Sequence, residues 1–301
     1  MNRRDLCIAM AASAVLPIFT TRAVANVAVA GGTLTTVSDG NLVLPPAFVL
    51  SELTDAEKAE VASRYGFGEG SYEPPCNLTL FRKGDMTVLF DAGSGGEFMP
   101  SAGSLLDSLD AAGVSPEDVT HLLFTHAHPD HLWGIIDDFE DLVFANAEYR
   151  IGRAEWDYWT RPETVDEIGA ERQAFAVGAA RRLAILEDRI DFFDDGEEVL
   201  PGIAAVATVG HTPGHMSFDI IGDGGGVFVT GDAIANPHIS FGWPGWKLGS
   251  DQDPETAAAT RVALFDRLVA EDRTVAGFHL PGGGIGRVAA DGDGYRFDAA
   301  E

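Results

Sequence analysis

Apolar and polar positions along the chain fall into short blocks that alternate between strand-like and helix-like spacing. Asn77–Arg82 and Met86–Phe90 read as two strands joined by Lys83-Gly84-Asp85. His121–Thr125 is a near-continuous apolar run and predicts a buried strand. Ile203–Val209, Met216–Ile221, Val227–Thr230 and Thr274–Phe278 predict further strands. Helical signals sit between them. Thr54-Asp55-Ala56-Glu57 is a capping box that opens a helix to Tyr65, and Gly66 stops it. Ser104–Ala112 predicts a short helix ended by Gly113, and Glu163–Glu187 a mostly helical stretch with Ala-rich and charged faces. Pro254–Ala270 has Pro at its first helical position, with Asp253 as the cap. Strands dominate each half and helices punctuate them. There is no internal repeat and no low-complexity linker, so residues 26–301 read as one α/β domain.

Residues 1–25 have a different pattern. Arg3-Arg4 precede an apolar run from Leu6 to Phe19, and Ala23-Val24-Ala25 fits a small-residue cleavage site. That order resembles a twin-arginine export signal and predicts a periplasmic or secreted protein. The run is short for a membrane span and Pro17 interrupts it; no later segment is long and apolar enough to span. Export would remove Cys7 and leave Cys76 alone, which excludes an internal disulfide. Cys76 is expected as a small buried filler.

Charge narrows the partners. The chain has 47 acidic residues against 20 Lys and Arg, for a net charge of −27. Nucleic acids and anionic membranes require a basic footprint, so neither is expected as a partner. The composition is otherwise that of a globular chain, with 22% charged and 46% hydrophobic residues, which argues against disorder and coiled coil.

Three of the eight histidines fall within His126-Ala127-His128-Pro129-Asp130-His131. On an extended segment, residues two apart point the same way, so His126 and His128 can reach one metal ion. The chain then turns at Pro129, and Asp130 and His131 are free to serve a second ion. Imidazole with carboxylate suits zinc, with iron or manganese as alternatives. His215 closes His211-Thr212-Pro213-Gly214-His215, Asp232 follows Val227–Gly231, and His279 follows Val275–Phe278. Each sits at a strand end, and together they complete a set of five His and two Asp.

That set resembles the metallo-β-lactamase superfamily. Thr125–His131 matches its metal signature, Leu89-Phe90-Asp91-Ala92-Gly93 its upstream Asp-x-Gly element, and Thr212–His215 and Gly231-Asp232 its later ligand motifs. Trp133 departs from the pattern, standing where members carry Gly. The resemblance implies a four-layer αββα sandwich with two divalent ions at one edge. It assigns His126, His128 and His215 to one ion, Asp130, His131 and His279 to the other, and Asp232 to both. Asp91, Thr125 and His211 are then expected behind the ligands, orienting them. Several β-lactamase subclasses carry Cys at the second ion or lack the shared Asp, so the set here points to the two-metal hydrolase branch.

Asp251-Gln252-Asp253-Pro254, Ala259-Thr260-Arg261, Gly277–Gly282 and Gly294-Tyr295-Arg296 resemble a subgroup of exported methyl parathion hydrolase-like enzymes and quorum-quenching lactonases. Many acyl-homoserine lactonases carry a Tyr three residues after the shared Asp; here that position is Ala235. The resemblance implies a dinuclear hydrolase in which Asp130 and Asp232 are catalytic and a hydroxide between two ions opens a lactone or ester, N-acyl homoserine lactones included. Organophosphate triester hydrolysis is the alternative, and a non-catalytic metal-binding module on the same scaffold the second. The expected substrate is small and neutral with an apolar portion, and the subgroup implies a homodimer. Trp156, Trp159, His238, Phe241 and Trp243 are candidates to line the substrate pocket. Residues 41–76 and 233–250 carry no motif that sets their path.

Overall fold

The computed structural model describes residues 25–300 except 68–69 and 223–224. The export signal expected over 1–25 lies, Ala25 apart, outside these residues. The strands are β1 (Ala25–Val29), β2 (Gly32–Asn41), β3 (Pro75–Lys83), β4 (Met86–Phe90), β5 (His121–Phe124), β6 (Glu148–Gly152) and β7 (Ile190–Phe193). They form one seven-stranded sheet in that order, antiparallel up to the β3–β4 pair and parallel from there to β7. The second sheet is built from β8 (Glu198–Leu200), β9 (Ile203–Ala207), β10 (Met216–Ile220), β11 (Val227–Gly231), β12 (Thr274–Gly277), β13 (Ile285–Asp291) and β14 (Gly294–Ala299). Its neighbours are again in sequence order, and β11–β12 is its parallel pair.

Alternation along the strands builds three layers of core. Val88 and Phe90 of β4, Leu123 of β5, Phe218 and Ile220 of β10, and Val227 and Val229 of β11 pack between the two sheets. The intervening Leu89, Leu122 and Phe124 face the other way, against Ala176, Ala179, Leu183 and Leu186 of the helix Gln173–Leu186. Phe228 and Val275 likewise meet Leu264, Phe265 and Leu268 of the helix Pro254–Ala270. Both faces of the central strands are buried, which is why β5 reads as a continuous apolar run rather than an alternating one. The result is the expected αββα sandwich.

Several expected elements keep their signals. Thr54 and Glu57 form the reciprocal capping box, and Gly66 closes the helix Asp55–Tyr65 at φ 65°. Asp253 accepts from the Thr256 amide at the start of Pro254–Ala270. The stretch 163–187 departs from expectation. It divides into Thr164–Glu167 and Gln173–Leu186, with Gly169 at φ 96° between them. The break lets Arg172 turn inward, buried, onto the Gly249 carbonyl. A smaller cluster of Leu50, Leu53, Val61, Ile239 and Leu248 joins the segment after β2 to the one after β11. Trp133 is accommodated by a glycine elsewhere: a Cβ on Gly178 would lie 2.2 Å from its ring, and the Arg182 guanidinium stacks over it at 4.3 Å. Cys76 is fully buried, as expected.

Phe218 touches Phe90 and Phe193 at ring separations of 5.2 and 5.6 Å in the space between the sheets. Replacing it with Ala should cost about 3–5 kcal/mol of stability, because the rigid sheets cannot collapse onto the void. The midpoint of urea unfolding, at unchanged slope, measures this.

Candidate metal centre

Strands β5, β9, β11 and β12 all end at the same edge of the sandwich, and the polar cluster is assembled there. Past β5 the chain bends at Thr125, His128 takes an extended backbone at φ −66° and ψ 161°, and Pro129 opens the one-turn helix Pro129–Leu132. Proline suits that place, since the amide it lacks would have had no helical partner. The turn separates the two pairs of side chains. His126 and His128 join His211, and Asp130 and His131 join Asp232 and His279. Within each group one potential ligand atom from every residue lies within 4.8 Å of the others.

In the first group, His128 Nδ1 lies 3.0 Å from His126 Nε2 and 2.9 Å from His211 Nε2. In the second, His279 Nε2 is 3.3 Å from Asp130 Oδ2 and 3.2 Å from Asp232 Oδ2. His131 Nε2 is 3.3 Å from Asp232 Oδ1. Asp232 also faces the first group, with Oδ2 3.3 Å from His211 Nε2. It is the residue that faces both groups.

In this structure His211 rather than His215 brings a ring atom into the first group. His215 Nε2 accepts the main-chain amide of Asp232 at 3.0 Å, and its Nδ1 is 2.8 Å from the Thr208 hydroxyl. Both ring nitrogens are engaged within the chain, the lone pair of Nε2 by the Asp232 amide. It instead fixes the backbone of Asp232. Gly231 makes this contact possible: a Cβ there would sit 2.7 Å from His215 Nε2, and the backbone adopts φ 50°. His211 is free to turn Nε2 toward the centre because Nδ1 is held by Asp251 Oδ1 at 3.0 Å, and Asp251 in turn by buried Arg261.

Each of the other rings is held from behind. Asp91 Oδ2 takes His131 Nδ1 at 2.8 Å, and its two oxygens also accept the Thr125 amide and hydroxyl at 2.7 and 2.8 Å. Asp91 pays for this reach with a left-handed backbone at φ 66°, uncommon for a residue with a side chain. The Thr125 hydroxyl gives its proton to Asp91 and so accepts from His126 Nδ1 at 3.0 Å. His279 Nδ1 donates to the Pro75 carbonyl at 2.8 Å. Gln252 Nε2 lies 3.2 Å from His128 Nε2. Turning the amide over would put its unpartnered oxygen there instead, which suits a proton on His128 Nε2 and leaves Nδ1 open toward the centre.

Sequence reasoning missed Gln252 and Asp251 in these roles, and also Glu155. The Glu155 carboxylate is fully buried and collects the Ala127 and Gly214 amides, the Thr212 hydroxyl and the Trp159 indole at 2.6–3.0 Å. It thereby ties the loop carrying His126 and His128 to the one carrying His211. A Cβ on Gly214 would lie 2.1 Å from the Glu155 amide, so only glycine admits this approach. No motif marks Glu155; it is one acid among 47.

Burial and charge compete at every group. Burial opposes a charge on His131 and His279, but the facing Asp232 and Asp130 outweigh it and hold both rings well above the ordinary histidine range. Burial also raises Asp130 and Asp232, yet these two histidines keep both carboxyls below the usual carboxylate range. Desolvation, with the neighbouring imidazoles, keeps His126 and His128 neutral. Three buried atoms at the centre nonetheless lack a hydrogen-bond partner: Asp130 Oδ2, His131 Nε2 and Asp232 Oδ1. Orphaned buried polar atoms are rare in folded proteins and call for a ligand. A nitrogen-rich group beside a mixed nitrogen and oxygen group, sharing one carboxylate, fits two divalent ions.

The centre forms the floor of an open cleft of ≈ 620 Å³. The expected aromatic lining is not there. Trp159 is buried beneath His128 at a ring separation of 5.7 Å, and Trp156 packs on Phe192. Phe241 lies in the core against Phe265, Trp243 stacks on Trp246, and His238 stacks on Tyr65. The walls are instead Leu42, Leu44, Phe48 and Val49 from one segment, Phe98 and Phe175 from two others, with Tyr72, Asn236 and Arg172 as polar members. Most of this wall belongs to the stretch 41–76 that no motif placed.

The sequence profile of the metallo-beta-lactamase superfamily matches residues 72–279. The chain belongs to that superfamily. Its polar cluster spans the matched region from Asp91 to His279, and it is a dinuclear metal-dependent hydrolase of this fold. Among curated proteins it is similar to metallo-beta-lactamase domain-containing protein 1 of Xenopus laevis, 29% identical over 66% of this chain and 69% of that protein. It is also similar to the N-acyl homoserine lactonase AttM of Agrobacterium fabrum, 28% identical over 38% of this chain and 40% of that protein. Among solved structures it resembles AidC, described as a dizinc quorum-quenching lactonase in complex with a product, with a TM-score of 0.85 at 23% identity over 92% of this chain and 97% of that one. The hydrolase AbOPH gives a TM-score of 0.83 at 28% identity over 92% and 97% of the two chains.

The placement of the two histidines is directly testable. His211→Ala should lower bound metal by about one ion per chain after dialysis, measured by mass spectrometry of the metals. His215→Ala should retain the full metal content and lose thermal stability, because only the brace on Asp232 is removed. Metal loss confined to His215→Ala would reverse the assignment.

Proposed function

We propose that the protein opens lactones carrying an apolar arm, with N-acyl homoserine lactones as the class that fits best. The observation that carries this reading is the apolar wall: Leu42, Leu44, Phe48, Val49, Phe98 and Phe175 stand directly over a buried donor cluster. Such a wall shelters an acyl chain while the compact polar ring reaches the floor. The wall is mostly apolar, its Arg172 is already paired with Glu171 and the Gly249 carbonyl, and a net charge of −27 repels phosphomonoesters at a distance. The likeness to AttM and AidC supports the same reading.

Two divalent ions held by His126, His128 and His211 and by Asp130, His131 and His279, with Asp232 between them, would supply a nucleophilic water at neutral pH and a Lewis acid for the attacked oxygen. The histidine-rich donor set favours zinc. The chain's own residues do the rest. The wall excludes bulk water. Asp232 keeps the two groups in register, braced by His215. Asp130 Oδ2, without a protein hydrogen-bond partner, is an oxygen left open to the second ion. The Arg3-Arg4 signal supports export, which would place this activity in the periplasm or outside the cell.

A paired measurement tests the reading. The metal-loaded mature chain should show kcat/KM for a long-chain N-acyl homoserine lactone at least a hundredfold above that for a nitrophenyl phosphotriester. That ratio corresponds to about 2.7 kcal/mol of differential transition-state binding. The opposite ratio would make the protein an organophosphate hydrolase. Full metal occupancy without turnover of any ester would make it a binding module.

A further inference from the structure

When a lactone opens, the ring oxygen leaves as an alkoxide, a strong base that needs a hydrogen-bond donor as the C–O bond breaks. Almost every proton near the floor of the cleft is already committed. The Nδ1 protons of His126, His131, His211 and His279 go to Thr125, Asp91, Asp251 and Pro75. The carboxylates of Asp130 and Asp232 face His131 and His279 as acceptors and offer no donor to an incoming group.

Three neutral cleft-lining groups keep an unspent proton. The Ser250 hydroxyl is one, and no hydrogen bond among the described residues sets its direction. The other two sit on side chains held in place. One is Asn236 Nδ2, which has no partner, while its oxygen caps the turn at His238 and Ile239. The other is the Tyr72 hydroxyl. Its nearest acceptor is the Ala235 carbonyl at 3.5 Å, too long to hold the proton firmly. Tyr72 lines the same cleft as Asp130, Asp232 and His279. Its backbone is pinned to Leu44 by hydrogen bonds in both directions, at 2.8 and 2.9 Å, and its ring rests on Phe67 at 5.0 Å. The group is therefore fixed in place, with its proton free for a ligand.

We propose that Tyr72 is a catalytic residue, donating a hydrogen bond from its hydroxyl to the departing ester oxygen. The hydroxyl keeps its proton throughout. The proton that finally neutralises the alkoxide is the one released by the attacking water, so atoms balance in an ordinary hydrolysis. This role rests on the hydrolase reading above and adds to it that the rate depends on how poor the leaving group is.

The test uses Tyr72→Phe in the full metal-loaded enzyme with three substrates: a long-chain N-acyl homoserine lactone, an alkyl ester and the matching p-nitrophenyl ester. A p-nitrophenolate needs little help to leave. The variant should lose roughly a hundredfold in kcat on the lactone and alkyl ester, as for removal of one preorganised donor. It should lose less than about threefold on the nitrophenyl ester, with metal content and Tm unchanged. Asn236→Ser, which keeps a capping oxygen, should show no such leaving-group dependence. Equal losses on all three substrates would mean that Tyr72 only shapes the wall and would overturn the proposal, as would no loss at all. Leaving-group dependence appearing in Asn236→Ser instead would move the role to Asn236. If the wild-type enzyme spares lactones but cleaves both esters, the lactonase reading falls while the ester pair still decides Tyr72. If it cleaves none of the three, both fall.

Discussion

An imidazole presents a lone pair to an ion from one nitrogen only when the proton sits on the other. That requirement governs the structure around the centre. Asp91, Thr125, Pro75 and Asp251 each place an oxygen behind one ring, and the Gln252 side-chain amide stands behind a fifth. These oxygens come from chain segments far apart in sequence, so the two sheets and the Pro254–Ala270 helix must all be in place before the rings are oriented. Met216 reinforces the arrangement by donating its amide to the Thr125 carbonyl at 2.9 Å, a main-chain tie from the second sheet to the end of β5. Glu155 then locks the two histidine loops together.

Much of this was legible in advance, and the reasons for what was not are physical. The buried strands were legible because both their faces pack, which leaves unbroken apolar runs such as Leu122–Phe124. The capped helices were legible because Thr54, Asp253 and Gly66 act locally. The cluster at 126–131 was legible because its spacing is itself the geometry. His211 and His215 were not separable by spacing: they lie four apart on one loop, and what divides them is the Asp232 amide that consumes one lone pair. Asp251, Gln252 and Glu155 are ordinary polar residues until the fold brings them behind a ring or a loop. The aromatic clusters at 156–159 and 241–246 misled for a related reason. Aromatic residues beside a functional motif serve the core as readily as a pocket, and here the core claims Trp159 and Phe241.

The centre also concentrates an unusual density of buried charge. Asp91, Asp130, Asp232 and Glu155 are all removed from water. Desolvating a carboxylate is costly unless donors replace its hydration. Glu155 meets that condition within the protein, and Asp91 does so through His131 and Thr125. Asp130 and Asp232 meet it only in part, as their unpartnered oxygens show. The fold therefore separates its acids into two kinds: those whose needs are met inside the chain, which act as framework, and those left incomplete, which are open to a ligand.

The same separation runs through the chain as a whole. The donors stand on segments that also tie the two sheets together, whereas the apolar wall at Leu42–Val49 stands on a stretch whose own small cluster is Leu50, Leu53 and Val61 with Ile239 and Leu248. A change at Leu44 or Phe48 alters what fits the cleft without disturbing any oxygen behind a histidine. The side chains that shape the cleft and most of the oxygens that orient the histidines thus stand on different stretches of sequence, so descent with modification can reshape the one while sparing the other; Tyr72 and Pro75, at the end of the wall segment, are where the two meet.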